Sequence, residues 1–397
     1  MNPGTAFQSE LSKSAQPNTK SLLLRLIRAE QPITRTEIAS RLDIDKSTVT
    51  ENVSPLIDSG ILREETLETT GEGRQPRVLS FADENGYFIG LNLGVRHSQV
   101  GLTTLTGEIT DEDDFETPKD PKVALKIARS RIGELIKKNS GRELKMIGVS
   151  VPGMTDAERT SLVYAPNLDW RSIDIVEALQ FDSSIRVVVE NDSTAAAMYE
   201  ARMKIGNSRD GSMSNFVLVR SGTGIGVGLV IGGEVYRGTG IGHGMAGEFG
   251  HMTIVAGGKP CVCGNRGCWE KYASAASAAW LYLGDRPPAR HESVPRFVEI
   301  VAKAENGDTR SRRTLEKIGD YLGIGIANVI MGVGIPRVII SGRLVYGWEF
   351  IKAPLHEAIR RSIVGKMEGW SVEAGEPVGA AIGGALEVAV EEYMSTL

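Results

Sequence analysis

The residues whose types and spacing could do the most chemistry lie between Gly247 and Glu270, GEFGHMTIVAGGKPCVCGNRGCWE. Cys261, Cys263 and Cys268 are all three of the chain's cysteines, and His251 lies ten residues before the first of them. Three thiolates and an imidazole make a Cys3His set, which suits a four-coordinate structural zinc with no position left for a reactive water. Such a site ties a loop together and does no hydrolysis. Gly257, Gly258, Gly264 and Gly267 let the loop turn back on its metal, because glycine accepts positive φ without penalty. The competing reading is three unrelated buried cysteines. It sits poorly with a whole cysteine complement placed beside a Gly-rich turn. Glu248 and Glu270 flank the ligands, so the metal would also fix two carboxylates in space.

Composition sets the frame for this loop. A chain of 397 residues suggests two or three domains, and 41% apolar with 24% charged residues is ordinary for a globular protein. A net charge of −5 argues against a generally sticky nucleic-acid binder but not against a local binding surface. Cysteines assigned to metal fit a reducing cytosol, so a cytoplasmic location is expected. The start, MNPGTAFQSELSKSAQ, is polar and lacks the apolar core of a signal peptide. The mild apolar run at 322–335 is too short and Gly-rich to span a bilayer and reads as a buried helix and turn.

Residues 1–18 read as a frayed tail, and 19–82 as a winged helix-turn-helix. Leu22, Leu23, Leu26 and Ile27 form one stripe of a helix that Pro32 ends. Thr34 and Glu37 form a capping box that opens a second helix. A turn at Asp43-Ile44 follows, and Asp45 is placed to cap a third helix beginning Lys46-Ser47-Thr48-Val49-Thr50. Pro55 is expected to kink that helix, leaving residues 46–53 to face DNA. A strand pair at 60–65 and 77–81 makes the wing. Small polar and basic residues at the start of a reading helix reach base edges and phosphates, and arginines in a flexible tip suit a minor groove. The expected DNA contacts are Arg35, Lys46, Ser47, Thr48 and Thr50 from the helices and Arg74, Gln75 and Arg77 from the wing. A protein-binding module of the same shape is the alternative: residues 1–82 carry ten Lys/Arg against eleven Asp/Glu, and Glu64, Glu65, Glu68 and Glu72 load the wing with negative charge.

Beyond a polar linker at 83–86 the pattern becomes α/β. Strands are expected at 87–93, 97–105, from 108, at 146–151 and at 185–190, with a helix over 123–138. The order then restarts with strands at 215–220, 225–231 and from 234, helices at 272–283 and 314–331, a strand at 337–341 and a closing helix at 378–394. Three strands followed by alternating helix and strand, twice over, is the order of an actin-like (ribonuclease H-like) duplicated two-lobe α/β fold. The lobes are placed at 86–190, joined by the C-terminal helix 378–397, and at 191–377 with the zinc loop. Folds of this kind bind small ligands between their lobes.

The chain resembles the ROK family of bacterial sugar kinases and sugar-responsive winged-helix repressors. The resemblance runs from about Thr19 to the last helix. It rests on the lead-in Ala246-Gly247-Glu248-Phe249-Gly250-His251 with the spaced cysteines, on Glu190-Asn191-Asp192 followed by alanines, on Gly222-Thr223-Gly224-Ile225-Gly226, and on the wing tip Gly73-Arg74-Gln75-Pro76. It implies a sugar pocket in which Asn191, Asp192, Glu248 and Glu270 hold hydroxyls, His251 touches both zinc and sugar, and Gly153 and Asn167 line the small-lobe side. Helix capping is a second role open to Asp192. His243 lies nearby, but the family spacing favours His251 as the metal ligand.

The resemblance also frames the choice between enzyme and regulator. In a kinase of this family Asp192 would be the base for the sugar hydroxyl, and the loop at 222–226 would hold phosphates. The first phosphate loop departs from the kinase pattern Asp-x-Gly-x-Thr, reading Asn92-Leu93-Gly94-Val95-Arg96. The glycine pair near the adenosine is Ser341-Gly342. The expectation is a sugar-sensing repressor with no catalytic residue and weak or lost ATP binding. It would bind operator DNA and a sugar effector as a homodimer or tetramer, without membrane contact. A sugar kinase or bifunctional kinase-regulator is the alternative.

Overall fold

The structure, a computed structural model, describes residues 19–67, 75–82, 86–205, 215–239, 244–290, 292–375, 377 and 379–397. It opens with helix α1 (Thr19–Glu30), strand β1 (Ile33–Thr34), helices α2 (Arg35–Leu42) and α3 (Lys46–Asp58), and strands β2 (Leu62–Thr66) and β3 (Arg77–Phe81). The capping box forms in both directions: the Glu37 N–H donates to Thr34 Oγ1 at 3.1 Å, and the Thr34 N–H donates to Glu37 Oε2 at 2.8 Å. Asp43 ends α2 in the left-handed region at φ 51°. Asp45 stands at the N-cap of α3 but makes no side-chain cap bond, and α3 runs on past Pro55 to Asp58. The two-residue β1 adds to β3, so the wing is a sheet of three strands, β1-β3-β2, where the sequence suggested a pair. The tip with Arg74 and the linker at 83–85 lie outside the described residues.

The small lobe contains β4 (Gly86–Asn92), β5 (His97–Thr103), β6 (Ile109–Glu116), α4 (Pro121–Lys138), β7 (Glu143–Val151), β8 (Met154–Thr155), β9 (Ser161–Ala165), β10 (Trp170–Asp174), α5 (Ile175–Ala178) and β11 (Arg186–Asn191). Helix α6 (Asp192–Ile205) leads to β12 (Phe216–Ser221), β13 (Ile225–Ile231), β14 (Glu234–Tyr236), α7 (Glu270–Ala273) and α8 (Ser277–Tyr282). The chain ends with α9 (Phe297–Glu305), α10 (Thr309–Val333), β15 (Arg337–Gly342), α11 (Trp348–Arg360), β16 (Ser371–Ala374) and α12 (Ala380–Thr396). The two large sheets run β6-β5-β4-β7-β11 and β14-β13-β12-β15-β16, the same order relative to sequence. In each, the first three strands are antiparallel and the last two join in parallel. This is the duplicated actin-like α/β fold.

Helix α12 returns to the small lobe, packing on β4, β7 and α6. Glycine makes that approach possible: a Cβ on Gly148 would lie 2.2 Å from the Ala385 carbonyl oxygen, and one on Gly90 would lie 2.7 Å from Leu386 Cγ. The N-terminal winged helix-turn-helix does not stand apart from this layer. Leu23, Ile27, Ile38, Val49 and Val53 share one apolar cluster with Phe88, Met146, Val388 and Met394. The core is therefore continuous across the expected boundary at 82–86. Among the described residues no helix is long and apolar enough to cross a membrane.

Candidate metal centre and ligand cleft

The loop at 248–270 brings His251, Cys261, Cys263 and Cys268 together, with one donor atom of each within 4.8 Å of the others. Cys263 Sγ and Cys268 Sγ are 3.7 Å apart, and Cys261 Sγ and His251 Nδ1 are 3.5 Å apart. Tetrahedral bonds of about 2.0–2.3 Å would space sulfur and nitrogen donors by roughly 3.5–3.8 Å, so the residues fit a four-coordinate metal. The three thiols are free, with no disulfide among them. Burial pushes the Cys261 and Cys268 thiols up, Cys268 to about 11, so a metal here displaces protons the thiols would otherwise keep. Gly257, Gly264 and Gly267 take positive φ of 65°, 91° and 80°, as expected. Gly258 serves differently: a Cβ there would meet the Tyr272 hydroxyl at 2.1 Å. The loop is anchored beyond its last ligand by Trp269, which is fully buried and donates through Nε1 to the Tyr321 carbonyl at 2.9 Å.

The loop forms one wall of a cleft of about 410 Å³. Gly153, Asn167, Asn191, Asp192, Glu248, His251 and Glu270 all line it. They meet there because the C-terminal ends of β4, β7, β11, β12 and β15 open onto the same space, the usual ligand position in open α/β sheets. Asn191 caps α6: its Oδ1 accepts from the N–H groups of Ser193 and Thr194 at 2.8 and 3.1 Å, and its Nδ2 donates to the Gly153 carbonyl at 2.8 Å. The capping role left open for Asp192 thus falls to its neighbour. Asp192 instead holds Arg220, whose Nη1 is 2.6 Å from Oδ2. Burial, with Asp192 and Glu270 close by, raises the Glu248 carboxyl to about 7. The loop at 222–226 touches the metal loop directly, since a Cβ on Gly224 would lie 2.4 Å from Glu270 Oε2.

Asn92 is buried and its Oδ1 accepts from Ser150 Oγ at 3.0 Å, while Arg96 lines the cleft exposed. Among the lining residues that the sequence reading did not single out are Arg220, Arg343 and Tyr346. Arg220 had a signal, as the one charged residue of a strand that is otherwise apolar up to its terminal Ser221. Arg343 and Tyr346 had none.

On the reading head, Lys46, Ser47 and Thr50 are exposed along one side of α3 and Thr48 is half-buried. Gln75 and Arg77 are exposed on the wing. Glu64 is not a free repulsive charge. It holds Arg35 Nε at 2.9 Å and Arg77 Nη1 at 3.3 Å, tethering helix and wing.

The ROK family model matches residues 88–390, and a helix-turn-helix domain model matches residues 15–65. The xylose repressor of Bacillus subtilis is 31% identical over 329 residues, covering 82% of each chain. A glucokinase of Streptomyces coelicolor is 28% identical over 297 residues, covering 70% of this chain and 89% of that one. Among solved structures, a ROK family transcriptional regulator described as a homologue of the Escherichia coli MLC protein superposes with a TM-score of 0.74 at 22% identity, covering 95% of this chain and 96% of that one. That likeness concerns the fold.

Proposed function

The chain belongs to the ROK family, and from this premise we propose that it is a sugar-responsive transcriptional repressor that binds operator DNA through its winged head and a sugar in the interlobe cleft. One observation carries the reading. A helix-turn-helix shares its core with a two-lobe body whose cleft gathers Asp192, Glu248, Glu270 and Asn167 around one space. Carboxylates and amides at fixed separations recognise vicinal hydroxyls and discriminate against analogues that lack them. The B. subtilis relative, named for xylose, makes a pentose or hexose the first class to test.

The metal is zinc in this reading, held by His251, Cys261, Cys263 and Cys268, and it supplies structural cross-linking of the loop. His251 uses Nδ1 toward the cysteines and leaves Nε2 3.7 Å from Glu248, on the cleft side. The protein acts as a homodimer, which places two reading helices ~34 Å or a multiple of it apart on DNA. Sugar closing the cleft favours an arrangement that no longer fits this spacing, and the preference must reach a few kcal/mol to act as a switch. Phosphoryl transfer is not expected, because Asn92 is engaged by Ser150, Arg96 occupies the phosphate side and Asp192 is paired with Arg220.

A thermal-shift panel of aldoses tests the ligand, since a sugar at about 100 times its Kd stabilises the folded form by about 2.7 kcal/mol. Asp192→Ala should abolish that stabilisation; a variant that still responds to the same sugar removes Asp192 from the site. Turnover of any aldose with ATP at ordinary kinase rates would overturn the regulator reading.

The head is tested separately by fluorescence anisotropy on an operator fragment. Lys46→Ala with Arg77→Ala is expected to weaken binding and lower the slope of log K against log salt by about 1.8, at about 0.9 for each phosphate no longer neutralised. An unchanged slope takes both residues out of the interface.

A further inference from the structure

A second cavity, of about 340 Å³, lies where α1 meets both lobes, and it shares no lining residue with the ligand cleft. Its volume is within the range of small-molecule sites. Ser21 and Arg25 of α1 form one wall, Glu392 near the end of α12 another, and Gly233 of the large-lobe hairpin, Arg159 and Arg237 close it. The walls are rich in charge, and most of it is matched. Arg25 has Glu391 at 2.6 Å and the half-exposed Glu234 at 3.9 Å, and Arg28 and Arg202 share Glu387.

Arg159 is the exception. It reaches Glu190 and Glu392, but Glu190 also serves Arg237 at 2.6 Å and Glu392 also serves Arg186 at 2.7 Å. Its Nη1 bonds Glu392, while Nε, 3.4 Å from Glu190, and Nη2 are buried without a hydrogen-bond partner. Burial lowers the Arg159 pKa, Glu190 and Glu392 oppose the shift, and Arg237 adds to it. Its backbone is also left-handed, at φ 59°. Buried donors without acceptors are uncommon in folded proteins, and a guanidinium with two N–H groups left unbonded favours an anion over water.

We propose that this cavity is a second ligand site, for a small organic anion carrying a carboxylate or phosphate group that engages Arg159. An occupant there touches the first helix of the reading head and both lobes at once. It therefore fixes how the head sits on the body, and operator affinity responds to it independently of the sugar.

The test is calorimetric titration of the full chain with inorganic phosphate and, separately, citrate, at constant ionic strength. One of the two is expected to bind one-to-one, and which one binds separates a phosphorylated ligand from a polycarboxylate. Arg159→Gln should weaken that binding about tenfold, the loss of one charge-assisted hydrogen bond. Ser21→Trp fills the cavity from α1 and leaves every ion pair in place, so binding should vanish while the circular dichroism spectrum is kept. Ser21→Glu, which offers a carboxylate from the same position, should also abolish binding and covers the case in which the tryptophan does not fold. A sugar that stabilises the wild type should stabilise all three variants equally, which separates this site from the cleft, and the anion titration stands whatever the fate of the sugar proposal. Absence of binding by both anions up to about 10 mM, a concentration that reaches the weakest specific affinities, overturns the proposal. Binding undiminished in a folded Ser21→Trp or Ser21→Glu variant overturns it as well.

Discussion

Glu387→Ala is expected to destabilise the protein by about 3–5 kcal/mol, the usual cost of removing one partner of a buried ion pair. Glu387 on α12 is 1% exposed. It accepts from Nη1 and Nη2 of Arg28 on α1, the latter at 3.0 Å, and from Arg202 Nη1 on α6 at 2.8 Å. Arg28, 3% exposed, also donates through Nε to the Leu105 carbonyl at 3.2 Å. Alanine at 387 leaves Arg28 with its charge buried and only that carbonyl as partner. The loss should appear in the chemical-denaturation midpoint and as faster proteolysis of the head. Arg28→Met combined with Glu387→Met should cost less than Glu387→Ala alone, because the fully buried Arg28 charge is removed with its partner and only the part-exposed Arg202, which keeps the Thr106 carbonyl, loses an ion pair. A larger loss in the double variant would mean that the pair stabilises by net attraction. The pH dependence has a definite sign. Burial alone would raise the Glu387 carboxyl, but Arg28 and Arg202 outweigh it and hold it below its ordinary 4.5. Its contribution is fully present above pH 4.5 and is lost as pH falls below that value through the lowered pKa. The gap between wild type and Glu387→Gln should therefore narrow in acid and stay constant between pH 6 and 8.

The Glu387 cluster also shows where sequence reading stops. Arg28 and Glu387 are 359 positions apart, and neither stands out locally: one is a basic residue in the last turn of a helix, the other an acid in an apolar helix. What was legible was local or repeated. The capping box at Thr34 and Glu37 and the turn at Asp43 are short-range chemistry, and they form as expected. The three-strand opening of each lobe was legible because it occurs twice, each copy supporting the other, whereas β16 and the small β8-β9-β10 sheet were not expected. Strand β1 was not, since two residues carry no periodicity. The helix expected over 272–283 divides at Ser274, which takes an extended ψ of 159°, a break that apolar spacing does not announce. In the cleft, residue types pointed to Asn191 and Asp192 together. Both line the cleft, but which of them caps α6 and which pairs with Arg220 depends on a one-residue register at the end of β11. Arg220 stood out as the lone charge of its strand, but its partner Asp192, 28 positions away, was visible only in the structure.

Cys268→Ser is expected to take bound metal from about one equivalent per chain to near none and to lose the sugar response with it, because a structural four-coordinate site needs all of its ligands. Metal would be read by mass spectrometry of the purified protein and the sugar response by thermal shift. The coupling follows from how the loop is built. Cys268 is fully buried and is followed by Trp269, which fits a hollow at Gly325 so tight that a Cβ there would lie 2.0 Å from the indole. Glu270 comes next, with Oε1 3.1 Å from Cys261 Sγ. The ligand, the anchor and the cleft carboxylate are thus consecutive residues, and movement of the first displaces the third. Glu270→Gln separates the two consequences: it keeps all four metal ligands, so metal content should hold while sugar affinity falls. Between them the variants distinguish a loop that positions the cleft from one that only stabilises the large lobe. If the metal-free protein still shows the wild-type thermal shift with sugar, the metal has no part in ligand recognition, and the cleft residues are held by Trp269 and the strand ends alone.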